Sequence, residues 1–115
     1  MVKKSDLKKL NSIMQEGNAF KNVKKYNKAV EKYLEALTFV EERVKEPEER
    51  EDETRNIKSQ IDQVYSVKII DIIDEARNFI TNKDFDSAFN TFDEAARIAD
   101  KIVDEDIKNL SLIHI

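Results

Sequence analysis

The sequence predicts an all-α fold of four antiparallel helices in two helical hairpins, with a long central third helix. Three observations carry that expectation. The 115 residues include a single Gly and a single Pro, so most of the punctuation that strands and β-hairpins need is missing. Apolar residues recur at three- and four-residue steps along almost the whole chain. Charged residues make up 38% and apolar residues 40%, the balance of amphipathic helices with broad solvated faces.

Leu7, Leu10, Ile13, Met14, Gly17 and Phe20 form the stripe of a first helix over about 5–22. Ser5 is its expected N-cap, and Asp6 suits the positive end of the helix dipole. After a short polar break, Tyr26, Ala29, Val30, Tyr33, Ala36, Leu37, Val40 and Val44 define a second helix running to about Lys45, where Arg43 and Lys45 suit a helix C-terminus. Pro47 cannot extend that ladder, but it fits the first position of a new helix and is followed by Glu48 and Glu49. The next breaker is Thr81-Asn82-Lys83-Asp84, so the third helix covers about 48–81, or ~50 Å at ~1.5 Å per residue. Its start, Glu48 to Arg55, is polar. Apolar residues from Ile57 to Ile80 follow, and between Val67 and Ile73 they point in several directions, as in a helix covered on two sides. A fourth helix over about 85–110, with Asp84 as N-cap, carries Phe85, Ala88, Phe89, Phe92, Ala95, Ala96, Ala99, Ile102 and Val103. The apolar residues of the tail, 110–115, are expected to dock on the helices or to pair with another chain.

This length fits one domain over 1–115. Without cysteine there are no disulfides, thiolate metal sites or thiol nucleophiles. No apolar run approaches the ~20 residues of a membrane span, and the start is polar rather than leader-like, so a cytoplasmic protein is expected. The net charge of −4 conceals an asymmetry: the first 32 residues hold nine lysines against Asp6, Glu16 and Glu31. A basic end and an acidic end can steer an acidic partner to the first hairpin, or align two copies head to tail.

The chain also repeats itself. Residues 10–43 laid on 69–102 match Ile13 with Ile72, Glu16 with Glu75, Phe20 with Phe79, Lys24 with Lys83, Ala29 with Ala88, Glu35 with Glu94 and Ala36 with Ala95. Tyr26 meets Phe85, Tyr33 meets Phe92 and Gly17 meets Ala76, so size class agrees where packing demands it. Each copy resembles a tetratricopeptide repeat, with the small and aromatic positions Gly17, Phe20, Tyr26, Ala29, Tyr33, Ala36 and again Ala76, Phe79, Phe85, Ala88, Phe92, Ala95. The small residues let two helices approach to ~8–10 Å while rings fill the space beside them. Glu16 and Glu75 replace the usual Leu, the repeat-ending Pro is missing at Glu41 and Asp100, and residues 44–68 are inserted between the copies.

The resemblance implies a non-enzymatic protein-protein interaction module, without catalytic residues, cofactor or metal, that binds a protein or peptide or associates with itself. Its groove-facing residues would be Met14, Asn18, Lys21 and Asn22 in the first repeat and Ile70, Ile73, Asp74 and Arg77 in the second, with Met14, Ile70 and Ile73 as apolar anchors. Asn18 matches one position of the family's carboxylate clamp, but the usual lysine companion is Met14, so that clamp is rejected. Two other readings stay open. One is a three-helix domain resembling the microtubule-interacting-and-transport type with a helix appended. The other is polyanion or RNA binding at Lys21, Lys24, Lys25, Lys28 and Lys32, although an acidic chain without interleaved arginines speaks against nucleic acid. The acidic groups Asp71, Asp74, Glu75 and Asp100, Asp104, Glu105 read as solvated faces before cation sites, and His114 as incidental.

Overall fold

In the computed structural model, residues 3–102, 104, 105 and 107–109 are described, and among them every regular element is helical. Four long helices follow one another: α1 (Lys4–Asn22), α2 (Tyr26–Arg43), α3 (Pro47–Thr81) and α4 (Phe85–Ala99). The all-α expectation therefore holds. Several boundaries differ. The N-cap of α1 is Lys3, which makes no side-chain capping bond, so Ser5 lies inside the helix instead of capping it. The fourth helix stops at Ala99, well short of 110. A separate helical turn that includes 107–109 follows, opened by Asp104, whose carboxylate accepts from the Ile107 backbone N–H at 3.1 Å and whose carbonyl accepts from Lys108 N–H at 2.9 Å. The expected tail, Val103 and His114 lie outside the described residues.

The chain forms two compact units that divide within α3, between Val64 and Tyr65. In the first, α1 packs on α2. Leu10, Ile13 and Gly17 are the buried residues of α1, and Ala29, Tyr33, Ala36, Phe39 and Val40 those of α2. Gly17 is where the seam is tightest: a Cβ there would lie 2.7 Å from Tyr33 Cε1 and 2.9 Å from Cδ1, so the bare Cα makes room for the tyrosine ring. Tyr33 is fully buried, and its hydroxyl donates to Asn18 Oδ1. Within the second unit, Ile69, Ile72 and Ile73 of α3 cluster with Ala95, Ile98 and Ala99 of α4 and with Ile102, and Tyr65, Phe92 and Ile107 pack against them. Val67 and Ile70 stay exposed, so this stretch of α3 buries one stripe rather than being covered on two sides.

The two interhelical turns are the same structure. At the end of α1, Lys24 N–H donates to Lys21 O (3.0 Å) and Lys25 N–H to Phe20 O (2.9 Å); after α3, Lys83 N–H donates to Ile80 O (2.9 Å) and Asp84 N–H to Phe79 O (2.8 Å). Both close the helix with the paired 6→1 and 5→2 bonds of a Schellman motif. Lys24 and Lys83 each hold φ at 63°, the left-handed conformation such a turn requires. Lys24→Gly should therefore raise stability by about 0.5–1 kcal/mol in urea denaturation, since glycine carries no Cβ penalty there. Only the second turn passes into a capped helix: the Asp84 carboxylate accepts from Ser87 N–H (3.2 Å) and Ser87 Oγ–H (2.7 Å), as the sequence predicts.

Of the rings on which the resemblance rests, Tyr33 is buried and Phe20, Tyr26, Phe79 and Phe92 are half-buried, while Phe85 stands exposed. Ala29 and Ala88 are both buried. Ala29→Leu and Ala88→Leu should each overpack their unit and cost about 1–3 kcal/mol, read as lowered melting of the single variants.

Candidate interaction surface

On α4, the seam residues Ala88, Ala95 and Ala99 are buried, and the face beside them is bare. Phe85 and Phe89 are 63% and 73% exposed. They lie one turn apart, so their rings share one strip of surface. Ile80, at the end of α3, is exposed as well. The matching positions of the first hairpin, Tyr26 and Val30, are half-buried. Phe85 and Phe89 thus place large apolar side chains where the equivalent hairpin has its own partly covered.

The electrostatic setting of this strip is acidic. From Asp84 to Ala96 the chain holds four acidic residues and no basic one. Asp84 caps α4, and Asp93 accepts from the Arg97 guanidinium, whose Nε–H contact is 3.1 Å. Asp86 and Glu94 are exposed.

The tip of the first hairpin has the opposite character. From Gly17 to Val30 there are four lysines and no acidic residue. Val23 stands 62% exposed among them as the C-cap of α1. Lys28 Nζ lies 5.7 Å from the centre of the Phe20 ring, so the half-buried ring holds a cation rather than offering a stacking platform. Lys32, expected in the same corner, does not belong to it: its ammonium pairs with Glu16 at 2.8 Å and Glu35 at 3.2 Å, and these bonds raise its pKa above the ordinary lysine value.

The expected groove residues separate into two sets. Met14, Asn18, Lys21 and Asn22 lie on α1 in the first unit, and Ile70, Ile73, Asp74 and Arg77 on α3 in the second. Asn18 accepts the Tyr33 hydroxyl bond, which gives it a role inside the hairpin. Met14 and Lys21 are half-buried and Asn22 is exposed. Ile73 is not an anchor: at 2% exposure it belongs to the core with Ile69 and Ala95, because it follows Ile69 by one turn on the same inward stripe. Ile70 remains bare at 44%, and Asp74 and Arg77 are exposed.

Sequence reasoning placed Phe85 and Phe89 in the packing stripe of the fourth helix and so missed them as surface. The stripe's width was the available signal. Phe89 lies about 100° round the helix from Ala88, at the edge of the stripe centred on Ala88, Ala95 and Ala99. Among the described residues no three His, Asp or Glu side chains come together as a metal site, and Asp100 is met by Lys108 at 3.7 Å. No helix among them is long and apolar enough to cross a membrane. No family model, curated protein or solved structure matches this chain.

Proposed function

We propose that the chain is a non-enzymatic helical-repeat interaction module, similar to a tetratricopeptide adaptor, that docks a protein segment on the Phe85–Phe89 strip of α4. The exposure of those two rings carries the reading. A bare aromatic pair is costly on a surface that water alone covers, and burying a few such anchors contributes ~1.5–3 kcal/mol each toward a complex. The matched Schellman turns and the small-against-ring seam of Gly17 and Tyr33 support a duplicated hairpin. The packing of Ile69, Ile72 and Ile73 with Ala95, Ile98 and Ala99 supports α4 as the partner of α3, in preference to a three-helix bundle with an appendage.

Phe85→Ser combined with Phe89→Ser should leave the melting curve within about 0.5 kcal/mol of the parent, as expected of exposed positions. In side-by-side pull-downs with the parent chain, the same double variant should lose the bound protein. A loss of stability beyond about 1 kcal/mol, or capture that survives the double substitution, overturns the reading.

A further inference from the structure

We propose that the segment received by the α4 strip is supplied by a second copy of this chain: the lysine tip of one copy's first hairpin docks on the Phe85–Phe89 strip of the next. This inference rests on the interaction-module reading and names its partner. Each surface pairs bare apolar side chains with charge of one sign. The tip has Val23 among Lys21, Lys24, Lys25 and Lys28; the strip has Phe85 and Phe89 beside Asp86, on a helix that Asp84 opens. Strip against strip would set acid against acid, and tip against tip would set lysine against lysine. The complementary arrangement is head to tail.

The fold does not call for these charges. The two hairpin turns share their backbone bonds and their left-handed residue, yet one continues into Lys25 and Lys28 and the other into Asp84 and Asp86. At the start of α4, Asp84 and Asp86 complement the helix dipole. The first turn of α2 has no acidic residue, and Lys25 and Lys28 sit against the positive end of that helix. Lys28 is met within the hairpin by the Phe20 ring, whereas Lys25 stands where local helix stability disfavours a cation, a cost that an acidic surface outside the hairpin would offset. The tip lacks the arginines and open rings that would suit it to nucleic acid, and Val23 gives it an apolar centre that a protein surface can cover. A contact between two different patches of identical chains is heterologous, so it adds copies one after another unless the geometry closes a ring.

The test uses sedimentation velocity on the full chain over a range of concentrations, in low salt and in about 0.5 M salt. The parent's average mass should rise with concentration in low salt, and its apparent affinity should fall at least about tenfold in high salt. Two variants separate the surfaces: Lys21→Glu/Lys25→Glu/Lys28→Glu at the tip, and Phe85→Ser/Phe89→Ser on the strip. Each should be monomeric alone. Their equimolar mixture should form a one-to-one dimer, because one variant keeps the strip and the other keeps the tip. A parent that stays monomeric at every concentration overturns the inference, as does self-association that survives in either variant or a mixture that stays monomeric. If the parent is monomeric while the strip variant still loses another captured protein, the second copy is the wrong partner and the module reading stands. If the strip variant unfolds, both fall. Binding of the tip to heparin or RNA without self-association assigns the lysines to a polyanion and overturns the inference.

Discussion

Tyr33→Ala should cost about 3–5 kcal/mol, a large share of the stability of a chain this size. The ring is fully buried and fills the space left by the missing side chain of Gly17. Removing it opens a cavity against a bare stretch of α1 backbone that no neighbouring side chain can fill. It also removes the hydrogen bond that the phenol donates to the exposed Asn18. Tyr33→Phe separates the two effects. It keeps the ring and gives up one hydrogen bond, so it should cost about 0.5–1.5 kcal/mol. Burial pushes the Tyr33 phenol above the ordinary tyrosine value. A folded-state pKa above the unfolded one gives stability that is complete below about pH 10 and is lost as pH rises toward the folded value. Urea denaturation of the parent should therefore show stability falling above that pH, and Tyr33→Phe should lack the part of the slope that this phenol supplies. An alanine variant within about 1 kcal/mol of the parent would mean that Tyr33 does not hold the hairpin together.

Ile69→Ala is the corresponding experiment in the second unit, with an expected loss of about 2–5 kcal/mol. Ile69 is fully buried at the centre of the cluster formed with Ile72, Ile73, Ala95, Ile98 and Ala99. All five of those neighbours are isoleucines or alanines on helix, with stiff or minimal side chains, so little can move in to fill the space. The two substitutions are also distinguishable by place. Residue-resolved hydrogen exchange should accelerate in α1 and α2 for Tyr33→Ala, and between Tyr65 and Ala99 for Ile69→Ala. Acceleration spread evenly over both units in each variant would contradict the division of the core within α3.

Helical type and most boundaries were legible because they follow from local chemistry: Pro47 can begin a helix but not continue one, and Asp84 offers a carboxylate to the next turn. The small-residue seam was legible for a related reason, since Gly17, Ala29 and Ala36 are small and buried where α1 and α2 approach. The end of α4 was not. Apolar periodicity continues through Ile102, and Asp104 as a new cap is one acidic residue among many. Nor did periodicity divide buried from bare. Ile70 and Ile73 look alike in sequence, and only the direction of α3's packing stripe sends one outward and the other into the core. Lys32 looked like the rest of its cluster until the fold brought Glu16 from the preceding helix to its side.

The bonds that close each hairpin run between main-chain atoms, with one left-handed residue between them. Apart from Asp84, which caps α4, and Lys28, which lies over the Phe20 ring, side chains at the bend are thereby released from structural duty and can be rewritten without refolding the scaffold beneath. Such a bend is a natural grafting point: exchanging residues 21–28 for 80–87 should transplant binding preference while leaving the helices that carry it intact.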